Sequence, residues 1–212
     1  MQTPPESAAP PPRPRNRSDT RASILDAAKA LLADEGFSGF GINALARRSG
    51  FDKQLIYRYF GGLEGLVDAI GDSLAGWTTT HLEHLVGTVP GTGYGTLLNA
   101  VLMAYLDALR ADLLMQKIIA WEVSDPSPHV RRMADQRSRN LGQWVARLRG
   151  DRTPASGLDA PALNAVLIGA VQHLVLSSAV SGQFVGVPLA IDADWDRIKA
   201  MLARIVRALH NG

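Results

Sequence analysis

The chain has 212 residues, enough to bury a sizeable core without disulfide or metal staples. It contains no cysteine, which excludes disulfides, thiolate catalysis and cysteine-ligated zinc together. The net charge of +2 does not by itself announce a nucleic-acid partner, but its distribution is uneven. Residues 1–60 carry nine Lys/Arg against six Asp/Glu, a balance of +3, whereas the remainder carries 13 against 14. A basic front end on a neutral body hints at a DNA-facing module.

Residues 1–17 hold half of the 12 prolines and no large apolar side chain except Met1. With no apolar run they do not read as a signal peptide, and with so little surface to bury they read as a disordered Pro/Arg tail. Arg13, Arg15 and Arg17 at its end are either a minor-groove arm or simply solvated.

Helical periodicity starts at Asp19. Ile24, Leu25, Ala28, Leu31 and Leu32 recur at spacings of three and four, with Ser18, Asp19 and Thr20 as capping side chains and Gly36 as the stop. Ile42, Leu45 and Ala46 mark a second, shorter helix ending near Ser49-Gly50. A third follows the cap Asp52 and runs through KQLIYRYF, with Ile56 and Phe60 as its inward pair, until Gly61-Gly62 breaks it. Two short helices joined by a tight turn at Gly50 have the proportions of a helix-turn-helix. The third helix leaves Lys53, Gln54, Tyr57 and Arg58 outward, with Leu55 and Tyr59 intermediate. Lysine and tyrosine suit phosphate oxygens, and glutamine and arginine can read base edges in a major groove. A solvated polar face on a structural helix would carry the same residue types.

The rest of the chain predicts helices at about 63–86, 94–111, 112–124, 127–149, 160–181 and 193–210, giving nine helices and an all-α fold. The segment 162–181 approaches the length of a membrane span, but Asn164, Gln172, His173 and three serines favour a buried interface helix and no membrane. Leu163, Val166, Leu167, Ala170 and Leu174 on this helix, and Trp195, Ile198, Met201, Leu202, Ile205 and Leu209 on the last, are apolar surfaces that need a partner. Paired with a second copy they would form a four-helix, two-fold interface.

The segment from Thr20 to Ile70 resembles the N-terminal domain of the TetR family of bacterial repressors. The resemblance rests on Ile24, Leu25, Ala27, Ala28, Gly36, Phe37, Ile42, Leu45, Ala46, Gly50, Lys53, Tyr57, Tyr59 and Phe60. It implies a three-helix DNA-binding domain followed by a connecting helix and a larger helical domain that dimerises and binds a small-molecule effector. The division expected is 18–62 for the helix-turn-helix and 63–212 for the effector-binding, dimerising part. Carried over by position, the DNA contacts fall on Asn43, Lys53, Gln54, Tyr57, Arg58 and Tyr59. The implied function is a cytoplasmic homodimeric regulator, a repressor released from a near-palindromic double-stranded operator by its effector. The chain departs from the family at Gly41, where a Ser or Thr often caps, at Asp52, where Ser is common, and at Gly61-Gly62-Leu63, which replaces Pro-x-Lys. The last change removes one phosphate contact and predicts a shallower salt dependence.

For the effector pocket the sequence offers Met103, Trp121, Glu122, Gln172 and His173. Trp121-Glu122 stands out, since a carboxylate on an apolar helix needs a partner, either a protein group or a cationic or hydroxylated ligand. No phosphate-cradling glycine motif, His-Glu-x-x-His, Gly-x-Ser-x-Gly or readable carboxylate pair is present, so neither an enzyme nor a cofactor is expected. His81 and His84 at i, i+3 lack a third ligand in register, so no metal site is expected.

Overall fold

The computed structural model describes residues 17–86 and 93–210. Its helices are α1 (Arg17–Gly39), α2 (Ile42–Ser49), α3 (Lys53–Phe60), α4 (Leu63–Val86), α5 (Tyr94–Ala111), α6 (Leu113–Ser124), α7 (Pro128–Arg149), α8 (Ala160–Ser181) and α9 (Asp192–His210). The all-α expectation therefore holds. The Pro/Arg tail, with Arg13 and Arg15, lies outside the described residues, and Arg17 opens α1. Ser18, Asp19 and Thr20 consequently sit in the first turn of α1 and not in front of it.

One element went unread in the sequence. Gln183–Phe184 (β1) and Val187–Pro188 (β2) pair antiparallel across the turn Val185-Gly186. Both turn residues have positive φ, 50° and 74°, as a two-residue hairpin requires. Strands of two residues leave no period to read.

The N-terminal bundle is built on Ile24, Ala28, Leu31 and Leu32 of α1 packed against Leu45, Ile56 and Leu66, all buried. α1 does not run smoothly to its end. At Gly36 the backbone turns to φ 67°, ψ −177°, a conformation open to glycine and costly for side chains bearing Cβ. Gly36 is buried, and a Cβ there would sit 3.5 Å from the Trp121 ring of α6. The break is thus also the point where the N-terminal bundle meets the larger domain.

In that domain α4 and α7 run parallel. Asp68 takes a two-pronged hydrogen bond from Arg132 at 2.6 and 2.7 Å, and one turn later Gln136 donates to Asp72. α5 and α9 run antiparallel, fastened by Lys199 on Asp107 at 2.8 Å and Arg110 on Asp192 at 2.9 Å. Between them lies a core of Leu98, Val101, Leu102, Tyr105, Leu106, Trp144, Val171, Trp195 and Leu202.

α8 is long and apolar enough to cross a membrane by length and composition, yet only 17% of its most apolar stretch is buried within the chain. Val166 and Val180 on α8, and Met201, Ile205 and Leu209 on α9, remain exposed.

Gly36→Ala tests the joint at the end of α1. Forcing a Cβ into a left-handed backbone costs about 1–2 kcal/mol, so the variant should melt roughly 2–8 °C lower. An unchanged melting temperature would mean that the φ of 67° is not required in solution.

Candidate nucleic-acid interface and ligand cavity

Local chemistry fixes the orientation of α3. Asp52, extended at φ −62°, ψ 139°, accepts a hydrogen bond from the Gln54 N–H at 2.7 Å, satisfying a donor that the helix start leaves open. The carboxylate is thereby turned onto the helix end. Gly50 ends α2 in the left-handed region at φ 71°, its N–H donating to the Ala46 carbonyl at 3.0 Å. These two devices set the short turn between the helices. Ile56 is fully buried and Phe60 nearly so, and this rotates the rest of α3 outward.

The exposed face carries Lys53, Gln54, Tyr57 and Arg58, with Tyr57 at 54% exposure despite its aromatic ring. The ring lies beside the turn at Gly62, where a Cβ would come within 3.5 Å of it. Arg58 places its guanidinium 5.4 Å from the centroid of the half-buried Tyr59 ring. Asn43 is exposed in the first turn of α2, whose start at Gly41 has no side-chain cap. All six sequence-expected DNA residues therefore lie on α2 and α3, five exposed and Tyr59 partly so.

Behind this face, Asp34 of α1 bridges to Arg48 of α2 at 2.5 Å and to Lys117 of α6 at 3.7 Å. The Arg48 hydrogen bond holds the Asp34 carboxyl below its ordinary value despite some desolvation. Being solvent-exposed, the pair positions Arg48 more than it stabilises the fold.

A cavity of about 500 Å³ lies between α5, α7 and α8, closed at one side by Leu82 of α4. Its volume falls in the range of about 300–1,000 Å³ common for small-molecule sites. The walls are apolar, chiefly Leu97, Leu98, Val101, Leu141, Val145 and Ile168. Four of the polar groups are hydrogen-bonded in pairs. Gln172 Nε2 donates to the Tyr105 hydroxyl at 2.8 Å, and Asn164 Nδ2 donates to the Tyr94 hydroxyl at 2.9 Å. Burial raises the Tyr105 pKa, and the Gln172 hydrogen bond only partly offsets this, so the phenol stays protonated. Arg137 and Arg149 also line the cavity, and among the described residues no carboxylate does. Gly142, Ala146, Arg149, Pro161 and Ala165 are exposed, so the mouth opens between the end of α7 and the start of α8.

Arg137 is held from behind the wall. Its Nε donates to both Glu122 oxygens at 2.8 and 3.0 Å, and Nη2 also bonds Glu122. The two side chains are only 15% and 5% exposed, so this is a buried ion pair. Burial pulls the Arg137 pKa down, and the hydrogen bonds and charge of Glu122 more than reverse it. The neighbouring residue on α6, Trp121, faces the other way. Its ring meets Phe37 edge-on at 6.4 Å and lies over Gly36. A single dipeptide thus touches the cavity wall through one side chain and the N-terminal bundle through the other.

Of the five pocket residues suggested by the sequence, Gln172 lines the cavity. Trp121 and Glu122 stand behind it as described, and Met103 is half-buried against the core. His173 is exposed, its ring 4.6 Å from that of Phe184. Arg137, Tyr105, Asn164 and Arg149 were not among the sequence candidates. Asn164, Ile168 and Gln172 repeat every four residues, a stripe that could have pointed to one face of α8. The side chains of His81 and His84 lie outside the described residues, and among those described no three His, Asp or Glu gather to hold a metal.

Fold and surface together define a helix-turn-helix protein with an attached helical cavity domain. Residues 24–70 match the family described as bacterial regulatory proteins, tetR family. The N-terminal part of the chain is thus similar to the DNA-binding domain of that family. It is 38% identical over 71 residues to an HTH-type transcriptional repressor of Mycobacterium tuberculosis and, equally, to an HTH-type transcriptional regulator of Mycobacterium bovis. That stretch covers 34% of this chain and 37% of each relative's length. Among solved structures, the regulator FadR from Bacillus subtilis in complex with stearoyl-CoA superposes with TM-score 0.65 at 15% identity, covering 87% of this chain and 96% of that one. GusR of Salmonella enterica gives TM-score 0.60 at 20% identity, covering 91% and 96%. These likenesses show the same fold across both parts of the chain.

The buried pair yields a stability test. Arg137→Gln strands the Glu122 carboxylate and should cost about 3–5 kcal/mol. Arg137→Gln/Glu122→Gln, a neutral pair able to hydrogen-bond, should recover most of that loss in a denaturant melt. Equal damage from the single and double variants would contradict the pairing.

Proposed function

We propose that the protein is a cytoplasmic, homodimeric, sequence-specific regulator of transcription, a repressor released from a near-palindromic operator by a small-molecule effector. The observation that carries the reading is the outward face of α3, where Lys53, Gln54, Tyr57 and Arg58 stand exposed on a helix capped at both ends. Phosphate donors and base-edge readers occur together there, and Asn43 extends the surface onto α2. Residues 18–62 act as the DNA-binding domain and 63–212 as the effector-binding and dimerising domain.

Dimerisation has its support in the exposed apolar residues of α8 and α9. A second copy covers this surface better than lipid does, because Asn164 and Gln172 of α8 are already committed to tyrosines of α5. A two-fold dimer presents two α3 helices to two half-sites, which is why the operator should read as a near-palindrome.

Effector control follows from the α6 connection. A ligand in the cavity that disturbs Arg137 disturbs Glu122, and the adjoining Trp121 carries the change to Gly36 and Phe37 at the end of α1. A shift there alters the spacing of the two reading helices. The coupling demanded is modest, about 1–3 kcal/mol in typical allosteric proteins. FadR of Bacillus subtilis, with the same fold, is seen with stearoyl-CoA, which supports a small-molecule role for the cavity domain.

The test is a selection from random duplex DNA, with Tyr57→Ala and Lys53→Ala in parallel. A near-palindrome should be recovered, and both variants should bind it at least about tenfold more weakly, the loss expected of a charge-assisted contact worth about 1.5–3 kcal/mol. Affinity should also fall with salt. No enrichment at low salt, or full binding by both variants, would refute the reading.

A further inference from the structure

The charge of the cavity wall narrows the kind of ligand it takes. Two arginines line it, one deep and one at the mouth, and among the described residues no acidic side chain does. Glu122, which balances the deep arginine, stands behind the wall and engages only Nε and Nη2. The guanidinium has five N–H donors in a fixed fork; Glu122 takes the Nε side and Tyr105 interacts with it as well, which still leaves donors for another acceptor. The remaining polar groups inside, the Tyr105 and Tyr94 hydroxyls, their amide partners and Ser138, are neutral. Around them the surface is hydrocarbon: Leu97, Leu98, Val101, Leu141, Val145 and Ile168.

We propose that this cavity takes an apolar monocarboxylate, its acid group on Arg137 and its hydrocarbon body along the leucine and valine wall. This rests on the effector-cavity reading above and names the ligand class. A cationic head group would face Arg137 with no carboxylate inside the cavity to receive it. A neutral alcohol would fill the apolar space but forgo the charged hydrogen bond, which is roughly twice as strong as a neutral one. An acid on the remaining donors shares the guanidinium with Glu122, and a carboxylate only 5% exposed must follow any shift of its one counter-charge. Ligand chemistry and regulatory signal therefore meet at one guanidinium.

The full-length protein is titrated by calorimetry with two sets of matched probes: decanoate, decan-1-ol and decylamine, and 2-naphthoate, 2-naphthol and 2-naphthylmethylamine. At least one acid should bind about tenfold or more tightly than its own alcohol and amine. The double variant Arg137→Gln/Glu122→Gln, which retains a neutral pair, should lose that preference while still binding the alcohol. Arg149→Gln should keep it. If both acids fail to bind, if alcohol or amine binds as well as its acid, or if the preference survives in the double variant, the assignment is overturned. A preference lost only in Arg149→Gln moves the head group to the mouth and overturns the Arg137 contact. The duplex recovered by selection is added in a separate arm. Acid binding that leaves duplex affinity unchanged upholds the ligand class and overturns the release mechanism proposed above.

Discussion

A carboxylate buried to 5% exposure must have a counter-charge, and in this protein that requirement organises the larger domain. Glu122 obtains it from Arg137, which ties α6 to α7 and commits Arg137 to the wall of the cavity. Tyr105 of α5 lies within the influence of the same guanidinium, and Gln172 of α8 hydrogen-bonds Tyr105. Four helices thus converge on one ion pair. Replacing such a pair with hydrocarbon is often neutral or stabilising, so stability alone does not account for its presence. Its position does, because the pair faces a cavity on one side and is one residue from the N-terminal bundle on the other.

The second half of that link is steric. Gly36 ends the regular part of α1 with a backbone turn and presents no side chain, which lets the Trp121 ring lie directly over it. Phe37 completes the seat edge-on, and Phe40 packs against Phe37 in the same manner at 6.0 Å. Aromatic contacts of this kind have definite geometry and discrete alternatives. Asp34, reached by Arg48 and Lys117 beside this seat, adds a polar fastening between α1, α2 and α6. α3 is therefore referenced to α6 through α1.

The helix-turn-helix part was the more legible in the sequence because its determinants are local. A cap at Asp52, a left-handed glycine at 50 and an inward pair at i, i+4 each act within a few residues, and all three appear as expected. Helix limits from 63 to 210 were readable for the same reason, with prolines and glycines between periodic runs. The cavity was not. α7 carries six arginines on a polar helix, and nothing local distinguishes Arg137, which turns inward, from the others. Trp121 and Glu122 were conspicuous as a polar-aromatic pair on an apolar helix, but their partners lie 15 residues ahead and 84 behind. Gln172 was found and its neighbour His173 points to the surface, since adjacent helical positions diverge by about 100°.

We propose that Trp121 transmits between the cavity and α3 while touching neither ligand nor DNA. The most direct measurement is the operator affinity of Trp121→Ala, with and without a bound acid, for protein shown by its far-ultraviolet circular dichroism to be folded. The account predicts a folded variant with weaker operator binding and no further change when ligand is added. A folded variant that binds the operator as the parent does, and still releases it on adding the acid, would contradict it.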